Sequence, residues 1–424
     1  MSGPDIQIEQ IDVDIDVQEI LLAASQHNIP RLRELIRSNQ TAENPANVKD
    51  PETGYTPLHA VIAACEADPE EQPEQKSNGI ANGVSSETNQ GDEASNLVDA
   101  GREVVKFLFQ EGAIWNDLDE NGETPGCLAR RLGLSELYEL MVDAGVRAEM
   151  LLNRLDGYEP IGDDEEEEEE PTDGNEVAKT QDEEAPTGSQ ESNDSQQNTT
   201  TTEEPHVSSS RYLQSNLTFQ QDRLLDQDQN GVMMAWEADI MEKSAKALLP
   251  TPGLHVINIG HGMGIIDDLI QSQNPGSHHI VEAHPEVVAD MKRKGWHEKP
   301  GVVIHEGRWQ DVLPKLIEAG ETFNAIYYDT FAESYSDFRE FFSEQVIGLL
   351  DPDGKWGFFN GMGADRQISY DVYQKVVEMD LLEAGFDVDW EDLKVPDLED
   401  EWDGVRRKYW AVDKYRLPIC RYMD

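Results

Sequence analysis

The chain has 424 residues, enough for two or three domains that each bury a core, and a formal net charge of −54 from 87 acidic against 33 basic residues. Such a balance repels phosphate over most of the surface and argues against nucleic acid as a direct ligand, while a basic protein or a guanidinium compound is attracted. Cys65, Cys127 and Cys420 are widely spaced and form no CxxC pair, so they predict a reducing compartment and neither a disulfide framework nor a zinc site. The acidic N-terminus and the absence of a long apolar run predict no signal peptide and no membrane span. The cytoplasm is the expected location, with the nucleus as the alternative.

In chain order, the first signals are helical: residues 20–36, 104–110 with Gly112 as a stop, 128–132, and 137–143 ending near Gly145. Between them, Gly-x-Thr-Pro occurs twice, at Thr56-Pro57 and at Thr124-Pro125. In each the threonine caps a helix and the proline takes the first turn, where its missing N–H costs nothing. The pattern resembles the ankyrin repeat, with T-P-L-H at residues 56–59 and the following alanine one position early; the second copy has Gly126 and Cys127 in place of Leu and His. The two threonines are 68 residues apart, about two periods of the expected ~33, and residues 68–96 are polar and lack aromatics. Residues 1–150 therefore read as a small all-α, ankyrin-like repeat region with a disordered insertion at 68–96, and its expected role is a protein-binding surface.

Residues 151–210 read as an acidic, disordered linker: positions 161–210 hold 17 Asp or Glu against the single Lys179. The Glu run at 165–170 reads as solvated chain. From residue 211 onward the pattern changes to apolar strands alternating with amphipathic helices. Strands are expected at 254–259, 279–281, 302–305, 323–328 and 355–359, with two more within 386–395 and 409–419. This alternation predicts an α/β, doubly wound, Rossmann-like domain over 211–424, with its ligand at the carboxyl ends of the parallel strands.

Four of those ends carry the chemistry. The first runs Leu254 to Gly264 as LHVINIGHGMG, an apolar strand breaking into Gly260, Gly262 and Gly264 before a helix, a turn that lets backbone N–H groups approach a ligand. The second ends on Glu282, 18 residues after Gly264, where a carboxylate grips a ribose diol. The third is followed by Arg308, Trp309 and Gln310, and the fourth ends in Tyr327-Tyr328-Asp329.

The segments GVMMAWEADIMEKSAKAL (231–248), INIGHGMGI, IVEAHPEVV, GRWQDVLPKL and YYDTFAES resemble the guanidinoacetate methyltransferase family, and more closely its fungal branch of arginine δ-N-methyltransferases. The resemblance covers nearly all of 211–424 and implies a class I methyltransferase with S-adenosylmethionine as cofactor. It implies cofactor contacts from Gly260, His261, Gly262, Met263, Gly264, Ile265, Glu282, Ala283, His284, Trp309, Gln310 and Asp329, and from Met241. It also places Met233 near the substrate and Tyr212 as an N-terminal aromatic closing the site. Glu237 and Asp329 match the two carboxylates that hold the guanidino group in the family, and they are the expected catalytic residues. More familiar protein arginine methyltransferases use a loop with two glutamates, which has no equivalent after the fourth strand.

Two carboxylates suit the chemistry. A guanidinium has a pKa above ~12, so its nitrogens are donors without a free lone pair and the group is a poor nucleophile. Carboxylates can clamp its planar fork, orient one nitrogen and take up its proton. The expected reaction is methyl transfer to arginine in a protein, by the resemblance a ribosomal protein, with the chain acting as a monomer. The alternatives are a free guanidino compound such as guanidinoacetate as substrate, or an interaction scaffold with a vestigial methyltransferase fold. The ten histidines show no metal spacing, so no metal is expected.

Overall fold

The computed structural model describes residues 15–38, 44–66, 90–155 and 208–423. Residues 68–89 of the expected insertion and 156–207 of the expected linker lie outside that description.

Helices lead the chain: α1 (Ile15–Ser25), α2 (Ile29–Ser38), α3 (Pro57–Ala63), α4 (Gln90–Gln110), α5 (Pro125–Arg131) and α6 (Ser135–Leu155). The stretch expected as one helix over 20–36 is two, because His27 takes φ +52° and turns the chain. Both Thr-Pro turns cap as expected: the Thr56 and Thr124 side chains accept from the amides of His59 and Cys127. His59 also closes a capping box on Thr56 and bonds through Nε2 to the Glu123 carbonyl, tying the two Gly-x-Thr-Pro turns together. Two expectations are corrected. Helix α4 begins at Gln90, inside the stretch assigned to the insertion, and α6 runs ten residues past Gly145 to Leu155. Gly145 is not a stop but a point of close approach, since a Cβ there would fall 2.6 Å from Val372 Cγ2 and 3.1 Å from the Trp115 ring.

Beyond the short helix α7 (Ser209–Leu213), a three-stranded antiparallel sheet not foreseen from the sequence forms from β1 (Thr218–Phe219), β2 (Arg223–Leu225) and β3 (Gly231–Met234). It leads through a 3-10 turn (Ala235–Glu237) into α8 (Ala238–Leu248). The main sheet follows: β4 (His255–Ile259), α9 (Ile265–Ser272), β5 (Ser277–Glu282), α10 (Pro285–Arg293), β6 (Val302–Glu306), α11 (Trp309–Glu318) and β7 (Phe323–Tyr328). Then come α12 (Tyr335–Glu340), α13 (Val346–Leu349), β8 (Leu350–Phe358), α14 (Gln367–Glu383), β9 (Phe386–Lys394) and β10 (Lys414–Tyr422). The order across the sheet is β6-β5-β4-β7-β8-β10-β9; the first five are parallel, and β10 runs antiparallel to both neighbours. This is the Rossmann-like class I methyltransferase arrangement. The chain winds outward from β4 to β6 and then returns to β7 on the other side of β4, so the crevice between β4 and β7 is the switch point where ligands bind.

Helix α14 joins the two regions. Ile368 and Val372 are buried, and the apolar core of the leading helices continues through them into that of the sheet. Polar contacts follow the same seam: the Tyr138 and Tyr373 hydroxyls donate to Asp371 and Glu149. Among the described residues no helix is long and apolar enough to cross a membrane.

Candidate active site at the β4–β7 switch point

The glycine turn is shaped by its neighbours. Gly260 N–H donates to the Val281 carbonyl and Asp329 N–H to the Ile259 carbonyl, which draws the ends of β4, β5 and β7 together. Gly260 takes φ +93°, and a Cβ on it would lie 1.9 Å from the Asp329 carbonyl oxygen; any other residue would force these ends apart. At Gly262, φ +54°, a Cβ would meet the Met233 thioether at 2.7–2.9 Å.

Glu282 organises the loop from the end of β5. Its Oε2 accepts from the amides of His261 (2.8 Å) and Gly262 (3.4 Å), and its Oε1 from the amide of His284 (2.7 Å). Oε1 keeps a lone pair for a hydroxyl, so the carboxylate can hold the loop and still grip a ribose. Beneath the loop, buried Asp267 accepts from His261 Nδ1 at 2.6 Å and His278 Nε2 at 2.9 Å. Burial alone would raise this carboxyl, but the two imidazoles hold it at about 2.

Around these elements lies a cavity of about 630 Å³, including its mouth. Tyr212, Met233, Gly260, Gly262, Glu282, Ala283, Trp309 and Asp329 all stand on its wall. The remaining sequence-predicted residues do not. Met241 is fully buried in the core, and the His261 ring turns down to Asp267. Met263 and Ile265 line a separate depression beside Phe219. Gly264 starts α9; His284 caps α10 and bonds through Nε2 to the Tyr212 carbonyl, so it positions that aromatic. Gln310 lies one residue behind Trp309 on α11, with its amide 3.5 Å from Glu333.

A second cavity, about 940 Å³, shares Val232, Asp329, Thr330, Phe331 and Glu333 with the first and is lined also by Glu237 and Tyr409. Glu237 and Asp329 thus face one space. Glu237 is 3% exposed; its Oε1 accepts from the Met234 amide at 3.1 Å and from the Tyr409 hydroxyl. Asp329 Oδ2 is buried with no hydrogen-bond partner. Both carboxyls are pushed up from the ordinary carboxylate range, chiefly by burial: Glu237 to about 8, with the Asp329 charge adding to the rise, and Asp329 to about 7, with the Asp267 charge adding. A buried Glu237 and a half-buried Asp329 with an inward, unpartnered oxygen, both shifted up toward neutrality, are poised to receive a cation.

Sequence reasoning missed Tyr409 and the role of Glu333. Glu333 accepts from Trp309 Nε1 at 2.9 and 3.0 Å, from Thr330 Oγ1 at 2.8 Å and from the Tyr328 hydroxyl, and so fixes the ring that walls the cofactor side. Its place four residues after Asp329 was the available signal; Tyr409 had none, since it comes from a loop far down the chain. Among the described residues no group of three or more His, Cys, Asp or Glu could hold a metal ion.

The S-adenosylmethionine implied by the sequence fits this geometry. The glycine turn brings the ends of β4, β5 and β7 together at the cavity wall, the Glu282 carboxylate stands at the end of β5 where a ribose would be gripped, and the Trp309 ring walls the same cavity. Residues 208–419 match the family model of guanidinoacetate N-methyltransferase. Over nearly its whole length the chain is similar to proteins named protein arginine N-methyltransferase 2. That of Aspergillus fumigatus is 69% identical over 97% of this chain and 98% of its own. That of Aspergillus oryzae is 68% identical over 98% of each. The protein of Emericella nidulans is 64% identical over the full length of both.

Proposed function

Because the chain belongs to the protein arginine N-methyltransferase 2 family and uses S-adenosylmethionine, we propose that it methylates the δ-nitrogen of an arginine side chain in a polypeptide. In this reading Glu237 and Asp329 hold the guanidinium. The observation that carries it is the unpartnered, buried Asp329 Oδ2 on the same cavity as Glu237. Glu237 already receives the Met234 amide and the Tyr409 hydroxyl, donors that favour its ionised form, so it serves as the anionic clamp. Asp329 has a free acceptor and takes the proton that the attacking nitrogen sheds. When bound, S-adenosylmethionine supplies an electrophilic methyl group on a sulfonium. Gly260, Gly262, Glu282, Ala283, Trp309 and Tyr212 would hold it, and the wall that the two cavities share at Asp329 would set the two ligands side by side.

The δ-nitrogen is favoured by the family resemblance and by the acids available. Glu333 is committed to Trp309, Tyr328 and Thr330, so the segment after β7 leaves no second acid free to pair with the terminal nitrogens. A polypeptide substrate is favoured by the leading helices, which we read as ankyrin-like repeats presenting a docking face. The same reading takes a ribosomal protein as substrate and the enzyme as a monomer in the cytoplasm.

Labelled methyl transfer in a single turnover, followed by acid hydrolysis and mass spectrometry, tests the assignment. It should yield δ-methylarginine, and Asp329→Asn and Glu237→Gln should each slow transfer by about 10²- to 10⁴-fold while cofactor affinity stays within a few-fold. Unimpaired transfer in both variants would remove the two carboxylates from the mechanism. Free guanidinoacetate as the better substrate would favour the second reading, which the family model supports.

A further inference from the structure

We propose that a groove running from the substrate cavity past Asp365 to Arg130 carries the polypeptide flanking the target arginine, and that its far end selects an acidic side chain in that polypeptide. The inference rests on the polypeptide reading above and adds the path and the charge preference.

Three depressions join end to end. The cavity holding Glu237 and Asp329 opens, between Phe331, Gly363 and Tyr409, into a shallower one lined by Asp365 and Arg407. Asp365 is also the wall of a third depression, whose other residues include Arg130, Arg131, Tyr138, Arg366 and Ile368. That third segment lies on the seam between the leading helices and α14. Its two sides are fixed to each other: Tyr138 donates to Asp371, and a Cβ on Gly126 would fall 2.6 Å from Ile368 Cδ1. The groove therefore crosses from one region to the other on a rigid floor.

Its charge reverses along its length. The inner end carries the carboxylates of Glu237, Asp329 and Glu333. The path beyond carries four guanidinium groups, Arg407 on the middle depression and Arg130, Arg131 and Arg366 on the outer one. Arg131 pairs with Glu123 and Arg366 with Asp365, while Arg130 and Arg407 have no ion-pair partner among the described residues. In a chain of net charge −54, two unpaired cations on one path stand out from the general field. An extended segment with its arginine inside and an acidic residue outside is attracted at both ends; one with the charges exchanged is repelled at both. An RNA strand would match only the outer end and would meet the acidic field everywhere else.

The test uses the full-length protein and peptides of one arginine in a Gly/Ser/Ala background, with a Glu pair, a Lys pair or neither placed at successive offsets on each side. Wild type should show a lower KM for Glu-bearing peptides at a contiguous set of offsets, with kcat unchanged. Arg130→Glu and Arg407→Glu should raise that KM roughly three- to tenfold, an effect that weakens in high salt, and Arg130→Glu should prefer the Lys series instead. Equal kcat/KM for all three series in wild type, or variants indistinguishable from it, would overturn the groove while leaving polypeptide methylation standing. Tighter binding of a single-stranded RNA than of the Glu peptides, lost in Arg130→Glu, would also overturn it in favour of nucleic acid. Should no peptide or protein be methylated while guanidinoacetate is, the polypeptide reading itself fails and the groove with it.

Discussion

The carbonyl oxygen of Asp329 occupies the place where a side chain on Gly260 would begin, 1.9 Å from an ideal Cβ. The residue proposed as base on the substrate side and the glycine at the mouth of the cofactor loop are thus in backbone contact, and neither can shift alone. Gly260→Ala is expected to part the ends of β4 and β7. The positive φ alone costs a Cβ-bearing residue about 1–2 kcal/mol, before the clash is counted. Calorimetry should show cofactor binding lost, and thermal unfolding a lowered Tm. Gly262→Ala is the milder control, because its Cβ would meet the flexible Met233 side chain. Equal cofactor affinity in wild type and Gly260→Ala would refute the coupling.

Tyr409 donates its hydroxyl to Glu237, and its own ionisation is pushed well up by burial and by the Glu237 charge, so it stays a donor at any working pH. That hydrogen bond opposes the effect of burial on Glu237. Tyr409→Phe should therefore raise the Glu237 pKa further. A hydrogen bond to a charged group contributes about 1.5–3 kcal/mol, equivalent to about one to two pH units in the acidic limb of kcat/KM. If Tyr409 were only a packing residue, the variant would lose stability and leave that limb where it was.

The parts of the fold carried by periodicity and punctuation were legible. The strand ends at Gly260, Glu282 and Asp329 follow from apolar runs that stop at residues of special geometry or charge, and the sheet places them together. The antiparallel sheet at β1–β3 was not legible, since two- to four-residue strands are too short to show an alternation. His261 and His284 were singled out for position in a motif, but which way a side chain turns depends on what lies beneath it, here Asp267 and the Tyr212 carbonyl. Tyr409 reaches Glu237 only through tertiary packing, and no local pattern announces that.

Gly145 shows the same lesson with the sign reversed. An exposed helical Gly→Ala change normally stabilises by about 1 kcal/mol, because glycine is the poorer helix former. Within α6, however, the added methyl would fall 2.6 Å from Val372 Cγ2 and 3.1 Å from the Trp115 ring. Gly145→Ala is therefore expected to destabilise, by about 1–3 kcal/mol for overpacking a full core. Val372→Ala vacates the contested space, so the double variant should be more stable than the two single effects predict, as a double-mutant cycle by denaturant unfolding would measure. Because one core spans both regions, helix content and tryptophan fluorescence should report a single transition. Two separated transitions would mean that the seam at α14 does not couple the regions.

The acid pair makes both stability and activity depend on pH, in opposite directions. For each of Glu237 and Asp329 the folded pKa lies above the unfolded one. The folded state then binds more protons than the unfolded state between the two values, and the free enzyme loses stability as pH rises through that interval, levelling off above about 8. Asp267, held at about 2, titrates far below; His59, His279 and His305, pushed down by burial, act on the acid side of neutrality; and the thiols of Cys65 and Cys420, pushed up by burial, act above about pH 8, so the window from about pH 7 to 8 belongs to the pair. In that window the Tm of the free enzyme should fall with rising pH, and the slope should flatten in Glu237→Gln. Activity should do the reverse: the guanidinium needs the ionised acids, so kcat/KM should climb with pH until both are deprotonated and then level. A cationic guanidino ligand favours the charged forms, so its binding near pH 7 should release protons, detectable by calorimetry in buffers of different ionisation enthalpy. Proton uptake on binding, or a Tm that rises from about pH 7 to 8, would mean that the two carboxyls are already ionised in the empty site.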